Sequence, residues 1–363
     1  MPKSVKYLLI GSTEAYSGKS ATILGLGHQL QQKGLEIAYS KPLGNYTSSE
    51  AEDGIDEDVR FLAKTLNIPE HRLRSPLVFL NEETALARLQ EQNQTNYTQA
   101  LAQSLQVPGV DLVLIEGPGT LDEGSFLGLS LLQIAEVANA SVLLVSSFRS
   151  VLAIETLLVA RQRLGERLVG VLLNEIPPTK LETTQRIIRP FLESKGIPVL
   201  GMLTKSDLLR SVSVGELARR LNAEVICRPD RLDLMVESLK IGAMNVISAL
   251  KYFSEGKNQA VITGGDRTDI QMAALETSTQ CLILTGHIPP APVVISRAEE
   301  VEIPILSVDL DTISAVEIIE HTLGQVRIQE PIKVEYIRQM IAEHFQIDRL
   351  LAKLGLQPAV IAV

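Results

Sequence analysis

Between Tyr7 and Ser20 the chain passes from the aliphatic run 7–10 into a loop of small residues that starts at Gly11 and ends on Gly18-Lys19-Ser20. An apolar helical spacing at Ile23, Leu24, Leu26 and Leu30 follows at once. This order reads as strand, loop and helix. Such a junction aims the amides of the loop and of the helix N-terminus into one concavity, where the helix dipole also favours negative charge. Gly11, Thr13, Ser17 and Gly18, with Lys19, Ser20 and Ala21 of the first helical turn, are therefore expected to cradle a polyphosphate. Lys19 would neutralise phosphate oxygens, and the Ser20 hydroxyl would be a ligand for Mg2+. The spacing departs from the strict signature, because Thr13 stands where a glycine is usual and Gly11 lies two positions earlier.

The rest of the chain repeats the alternation of short aliphatic runs with longer amphipathic stretches, the pattern of parallel strands joined by crossover helices. Strands are predicted at 7–10, 35–39, 112–115, 141–145 and 168–173, with helical spacing over 120–138 and 153–164. A second set is predicted at 223–226, 259–262, 281–284, 292–295 and 304–307, and helices at 334–354 that stop at Gly355 ahead of Pro358. The expected fold class is α/β: a doubly wound, mostly parallel-sheet domain over 1–205, a smaller α/β domain over 206–328 and a helical C-terminal tail over 329–363.

Charge and cysteine content narrow the function classes. The 363 residues carry a formal charge of −9, which repels nucleic acid, and no basic stripe with interleaved aromatics offsets it. Cys227 and Cys281 are the only cysteines, too few and too far apart for a zinc site or a disulfide framework. No apolar window approaches membrane-spanning length, and the run 7–10 is too short for a signal-peptide core, so a cytoplasmic location is expected. His28, His71, His287, His321 and His344 fall in unrelated contexts.

Two further strand ends carry chemistry. The segment 111–119 delivers Glu116 to the carboxyl edge of the sheet, where a carboxylate can hold Mg2+ directly or through water. Lys41, before Pro42, ends the second strand, within reach of a phosphate or an anionic substrate, or it is simply a surface lysine. The acidic residues Glu50, Glu52, Asp53, Asp56, Glu57 and Asp58 crowd the loop that follows; Asp56 or Asp58 would supply another metal carboxylate, or the run is a solvated face. In the second half, Gly264-Gly265 gives backbone freedom beside the acceptor Asp266 and the guanidinium of Arg267, a corner suited to a ligand, a subunit contact or a locally satisfied turn.

The Gly-Lys-Ser loop, Lys41-Pro42, Glu116-Gly-Pro-Gly119 and Asn174 resemble the dethiobiotin synthetase branch of P-loop proteins over about residues 5–205. That resemblance implies ATP and Mg2+ at Lys19 and Ser20, a substrate contact and catalytic role for Lys41 beside Lys19, Mg2+ at Glu116 and adenine reading by Asn174. The chain departs from the family at Leu43-Gly44-Asn45 and at Thr120. The segment 261–270, with Gly286, Ile303-Pro304 and 309–312, resembles a DRTGG domain. This pairing is similar to the non-catalytic N-terminal region of long bacterial phosphotransacetylases, so acetyl transfer is not expected of the chain, and the segment 333–354 resembles the connector to the acyltransferase domain.

Two readings follow. In one, the chain is a nucleotide-binding regulatory or scaffold protein that acts through a homo-oligomer or a protein partner. In the other, it is an ATP-dependent ligase or carboxylase for a small anionic or amine substrate, in which the two lysines and Mg2+ stabilise a transferring phosphoryl group. A partitioning ATPase is disfavoured, since Ser12, Thr13 and Glu14 stand where those loops carry an extra lysine. The residues themselves leave ATP and GTP both open.

Overall fold

The computed structural model describes residues 5–45, 56–324 and 330–357; Glu50, Glu52, Asp53 and Pro358 lie outside the described residues. The chain divides into two compact units, Met1–Lys205 with Ile328–Val363, and Ser206–Arg327.

The first unit is built on seven strands: β1 (Lys6–Ser12), β2 (Ile37–Ser40), β3 (Leu73–Arg74), β4 (Leu112–Glu116), β5 (Ser141–Ser147), β6 (Leu168–Ile176) and β7 (Val199–Thr204). They lie in the order β3-β2-β4-β1-β5-β6-β7, all parallel. Leu8, Leu9 and Ile10 of β1 are fully buried, as expected of a central parallel strand covered on both faces. β1 lies between β4 on one side and β5 on the other, so the direction of winding reverses there. The carboxyl ends of β1, β4 and β5 consequently splay their loops around a crevice. The helices α1 (Lys19–Gln32) and α2 (Glu57–Thr65) follow β1 and precede the edge strand β3.

The C-terminal helices α3 (Pro331–His344) and α4 (Ile347–Leu354) fold back onto this unit. Ile341 of α3 packs so closely on Gly25 of α1 that a Cβ there would stand 2.4 Å from Ile341 Cγ1. The backbone N–H of Gln346 donates to Leu200 O of β7 at 2.7 Å, and Lys33 at the end of α1 pairs with Asp348 at 2.7 Å. Gly355 closes α4 in the left-handed conformation, the usual helix stop.

The second unit has a five-stranded sheet of β8 (Glu224–Cys227), β9 (Ser238–Ile241), β10 (Gln259–Gly264), β11 (Thr279–Thr285) and β12 (Ile305–Ser307). Their order is β8-β12-β11-β10-β9, with only β8 antiparallel to its neighbour. Ala249, Phe253, Ile270, Ala274, Val294 and Ala298 of the three crossover helices share one core cluster, so the parallel part winds in one direction. Val214, Leu217, Ala315 and Ile319 form a second cluster from the helices Val214–Leu221 and Thr312–Gly324.

Several elements differ from expectation. Residues 292–295 open a helix, Pro292–Glu300, with Pro at its first turn and Val294 and Ala298 one turn apart in the core. The β-branched pair Val293-Val294 imitates a strand, but proline at N1 and i,i+4 burial decide for the helix. Over 120–138 only Leu131–Val137 is α-helical, because Gly124 and Gly128 take positive φ and break the chain ahead of it. The strands β3, β7 and β9 were not predicted. Among the described residues no helix is long and apolar enough to cross a membrane, and both cysteines are free and buried.

Candidate nucleotide site

The loop between β1 and α1 is held from three sides. Gly18 has φ +100°, and a Cβ on it would come within 2.6 Å of the Asn174 side-chain nitrogen, so both backbone and space demand glycine here. Asn174, near the carboxyl end of β6, donates from Nδ2 to Ser17 O at 2.9 Å and buttresses the loop. Thr13 donates its N–H to Val145 O at 3.3 Å and its hydroxyl to Ser146 Oγ at 3.1 Å, which ties the position lacking glycine to β5. The Ser17 hydroxyl is buried and makes no hydrogen bond. At Gly11 a side chain would run into Leu131, with 2.5 Å to its Cδ1.

Lys19 opens α1 and donates from Nζ to Ser12 Oγ at 3.0 Å; Ser12 in turn donates to Gly119 O at 2.8 Å. The Gly119 N–H donates to the Glu123 carboxylate, so a continuous hydrogen-bonded chain links the lysine to the loop after β4. Burial lowers the Lys19 ammonium below its ordinary value, with Glu116 and Glu123 opposing. Ser20, one residue on, donates to Glu116 Oε1 at 3.0 Å, and the buried Tyr39 phenol donates to Glu116 Oε2 at 2.6 Å. Burial and the adjacent Glu116 raise the Tyr39 phenol well above the usual range. Ala21 lies half-buried in the first turn of α1.

Lys41 does not project to the surface. It is 3% exposed, and its ammonium stands 2.8 Å from Asp56 Oδ2 and 3.2 Å from Asp58 Oδ2. Asp56 also caps α2, its Oδ1 accepting from the N–H groups of Asp58 at 3.0 Å and Val59 at 3.3 Å. Burial pushes the Lys41 ammonium down, but Glu116, Asp58 and Asp56 outweigh it and leave it above its ordinary value. Burial also raises the Asp58 carboxyl, with Lys41 opposing.

The residue set suits Mg2+. Among the described residues no cluster of three or more His, Cys, Asp or Glu could hold a metal, but Mg2+ keeps most of its water and asks for one or two oxygen ligands. The adjacent Ser20 hydroxyl and Glu116 carboxylate are such a pair, and nucleotide phosphates would complete the shell. Asp56 is engaged by Lys41 and by the α2 N-terminus.

In the second unit, Gly264 ends β10 and Gly265 follows it. Their carbonyls accept from Gln271 Nε2 at 2.9 and 3.0 Å, and a Cβ on Gly265 would stand 2.2 Å from Ile288 O. Arg267 donates to Met244 O at 2.8 Å and to Asp269, while Asp266 is exposed. The structure thus brings Lys19, Ser20, Glu116 and Asn174 together, and shows Arg267 bound within its own turn. Ser12, Tyr39 and Glu123 escaped sequence reading. Tyr39 carried one signal, a phenol directly after the apolar Ile37 and Ala38 of β2, which needs a partner when buried.

A family model described as AAA domain matches residues 6–213, more than half of the chain. The chain belongs to that AAA domain family. A DRTGG domain model matches residues 216–322. Among curated proteins, the phosphate acetyltransferase of Synechocystis sp. is 26% identical over 307 residues, covering 80% of this chain and 43% of that protein. The phosphate acetyltransferase of Deinococcus radiodurans is 25% identical over 373 residues, covering 96% of this chain and 51% of that protein. The chain therefore spans about half the length of the curated relatives it matches. Among solved structures, the CBS and DRTGG domains of the regulatory region of Clostridium perfringens pyrophosphatase, complexed with the activator diadenosine tetraphosphate, match with a TM-score of 0.28 and 20% identity, over 48% of this chain and 86% of that one. A P-loop domain followed by a DRTGG domain, homologous to phosphate acetyltransferases, is the organisation implied by the sequence resemblance.

Proposed function

We propose that this chain binds a magnesium nucleoside triphosphate, ATP in the first instance, at the β1–α1 loop and serves as a cytoplasmic nucleotide-responsive regulatory module. Its own contribution is nucleotide sensing rather than acetyl transfer, and it acts through a homo-oligomer or a protein partner. The observation that carries this reading is the Ser20–Glu116 contact of 3.0 Å beside Lys19, at the sheet edge where the winding reverses. Bound Mg2+ would supply neutralisation of the nucleotide's phosphate charge. Lys19 would leave Ser12 to bind phosphate, Ser20 and Glu116 would hold the metal, and Asn174 would keep the loop open while lying next to the base site.

The ligase reading needs Lys41 to receive an anionic substrate. Lys41 is instead enclosed by two carboxylates, which favours the regulatory reading. Calorimetric titration of the full chain with Mg-ATP, Mg-GTP and Mg-ADP, beside Lys19→Ala, tests the proposal. Loss of one charge-assisted phosphate contact should weaken binding about tenfold to a hundredfold. Turnover should stay far below the order of one per second typical of enzymes. No binding by the unmodified chain, or rapid turnover with a small carboxylate or amine, would overturn it.

A further inference from the structure

Among the described residues Glu116 is the carboxylate that meets Ser20, and it lies in the field of two lysines, since both Lys19 and Lys41 feel its charge. A flexible carboxylate in that position has two alternatives to facing the hydroxyl: it can turn toward either ammonium. The structure contains a device against this. Tyr39 stands on β2 opposite Leu114 of β4, and Glu116 is two residues further along β4, on the same face of the sheet. The phenol lies along the strand and donates to Glu116 Oε2 at 2.6 Å, within the range of a strong hydrogen bond to an ionised acceptor. With Oε2 fixed in this way, Oε1 is directed to Ser20 Oγ. Tyr39 is wholly buried, so no water competes for its hydroxyl.

We infer that Tyr39 is a positioning residue for the metal carboxylate: its phenol clamps Glu116 Oε2, keeps the carboxylate off Lys19 and Lys41, and leaves Oε1 for Mg2+ beside Ser20. The inference rests on the nucleotide-binding reading above and adds a residue that touches neither metal nor nucleotide. A phenol that merely filled the core would affect stability alone. A clamp makes the magnesium dependence of nucleotide binding depend on one hydroxyl. Orienting partners of metal ligands commonly change metal affinity tenfold to a hundredfold, so the effect is large enough to read.

The experiment compares the unmodified chain, Tyr39→Phe and Ser40→Ala by calorimetry with ADP, in EDTA and across a magnesium titration, and with Mg-ATP, together with the melting temperature of each nucleotide-free protein. Tyr39→Phe keeps the ring that fills the core, and Ser40→Ala is a matched change at the next buried position. Tyr39→Phe should bind ADP in EDTA within about twofold of the unmodified chain, while the magnesium concentration for half-maximal enhancement rises about tenfold or more. Ser40→Ala should follow the unmodified chain throughout. An unchanged magnesium dependence in Tyr39→Phe, or an equal loss with and without magnesium, overturns the clamp while leaving the nucleotide reading intact. Failure of the unmodified chain to bind either ADP or Mg-ATP, or binding of both that is indifferent to magnesium, removes both.

Discussion

Lys41→Met probes the buried charge triad beside the nucleotide site. The Lys41 and Asp56 side chains are only 4% and 3% exposed, so removing the ammonium leaves the Asp56 charge without a counter-ion in a dry environment. Breaking a buried pair from one side costs about 3–5 kcal/mol, and Asp58, being 41% exposed, adds little because water already solvates it. The double variant Lys41→Met/Asp56→Asn removes the stranded charge, and an asparagine Oδ1 can still cap α2, so its cost should fall to about 1–2 kcal/mol. The expected rescue of Lys41→Met by Asp56→Asn is therefore about 2–3 kcal/mol. Urea unfolding of the full chain by far-ultraviolet circular dichroism gives the energies, and hydrogen exchange at the amides of β2 and α2 localises them. Lys41 is raised above 10.5, so its pair contributes stability that is fully present below that value and is lost only as pH rises through the higher folded value. The rescue should accordingly be constant between about pH 6 and 9. A cost below about 1 kcal/mol for Lys41→Met, or no rescue by Asp56→Asn, would refute the reasoning and return Lys41 to the role of a free substrate-binding cation.

Two further outcomes follow from the docking of the C-terminal helices. Gly25→Ala places a methyl 2.4 Å from Ile341 Cγ1 and 2.8 Å from its Cβ, so overpacking should exceed the helix-propensity gain and destabilise by about 1–2 kcal/mol in urea unfolding; pairing it with Ile341→Ala should recover part of that loss. Burial pushes the Glu193 carboxyl up, but Arg349 of α4 and Arg189 outweigh it and hold it below 4.5. A depressed carboxyl contributes stability above its unfolded value and loses it as pH falls through the folded one, so Glu193→Gln should cost about 0.5 kcal/mol at neutral pH, less in high salt, and nothing once both values are passed on acidification.

How much was legible depended on whether local pattern or long-range packing decided each element. The junction at Gly18-Lys19-Ser20 and the aliphatic strands β1, β4, β5 and β6 were readable because each is buried on both faces and announces itself as a continuous apolar run. β3 has only two residues and β9 is half-exposed, so neither produces such a run. Glu116 was legible as the end of a buried strand, but Tyr39 was not, because its significance lies in the β2–β4 register. The sequence leaves Lys41 open as a reaching cation or a surface lysine, whereas the structure buries it against Asp56 and Asp58; that Asp56 is one of its partners depends on the capping of α2 by Asp56. The segment 333–354 is helical as its spacing predicts, but nothing in that spacing specifies Gly25 as the groove that receives Ile341.

The fate of Lys41 alters the electrostatic logic of the whole site. With its charge taken up by Asp56 and Asp58, the cation left at the loop among the described residues is Lys19, and it shares its surroundings with Glu116 and Glu123. A bare triphosphate entering there meets two carboxylates for one ammonium, and each unit-charge repulsion at about 4 Å amounts to about 4 kcal/mol at an effective dielectric constant near 20. Loop amides and the α1 dipole offset part of this, but the dipole is equivalent to only about half a charge. A divalent cation on Ser20 and Glu116 reverses the balance, because it turns the nearest carboxylate from a repulsive neighbour into a ligand that attracts phosphate through the metal. On the proposed reading the module therefore responds to the magnesium complex rather than to free nucleotide. Capture of Lys19 by phosphate would remove only its donation to Ser12 Oγ, and the Ser12 hydroxyl can keep its own donation to Gly119 O, so the loop after β4 stays tied to β1 as the lysine turns to the ligand.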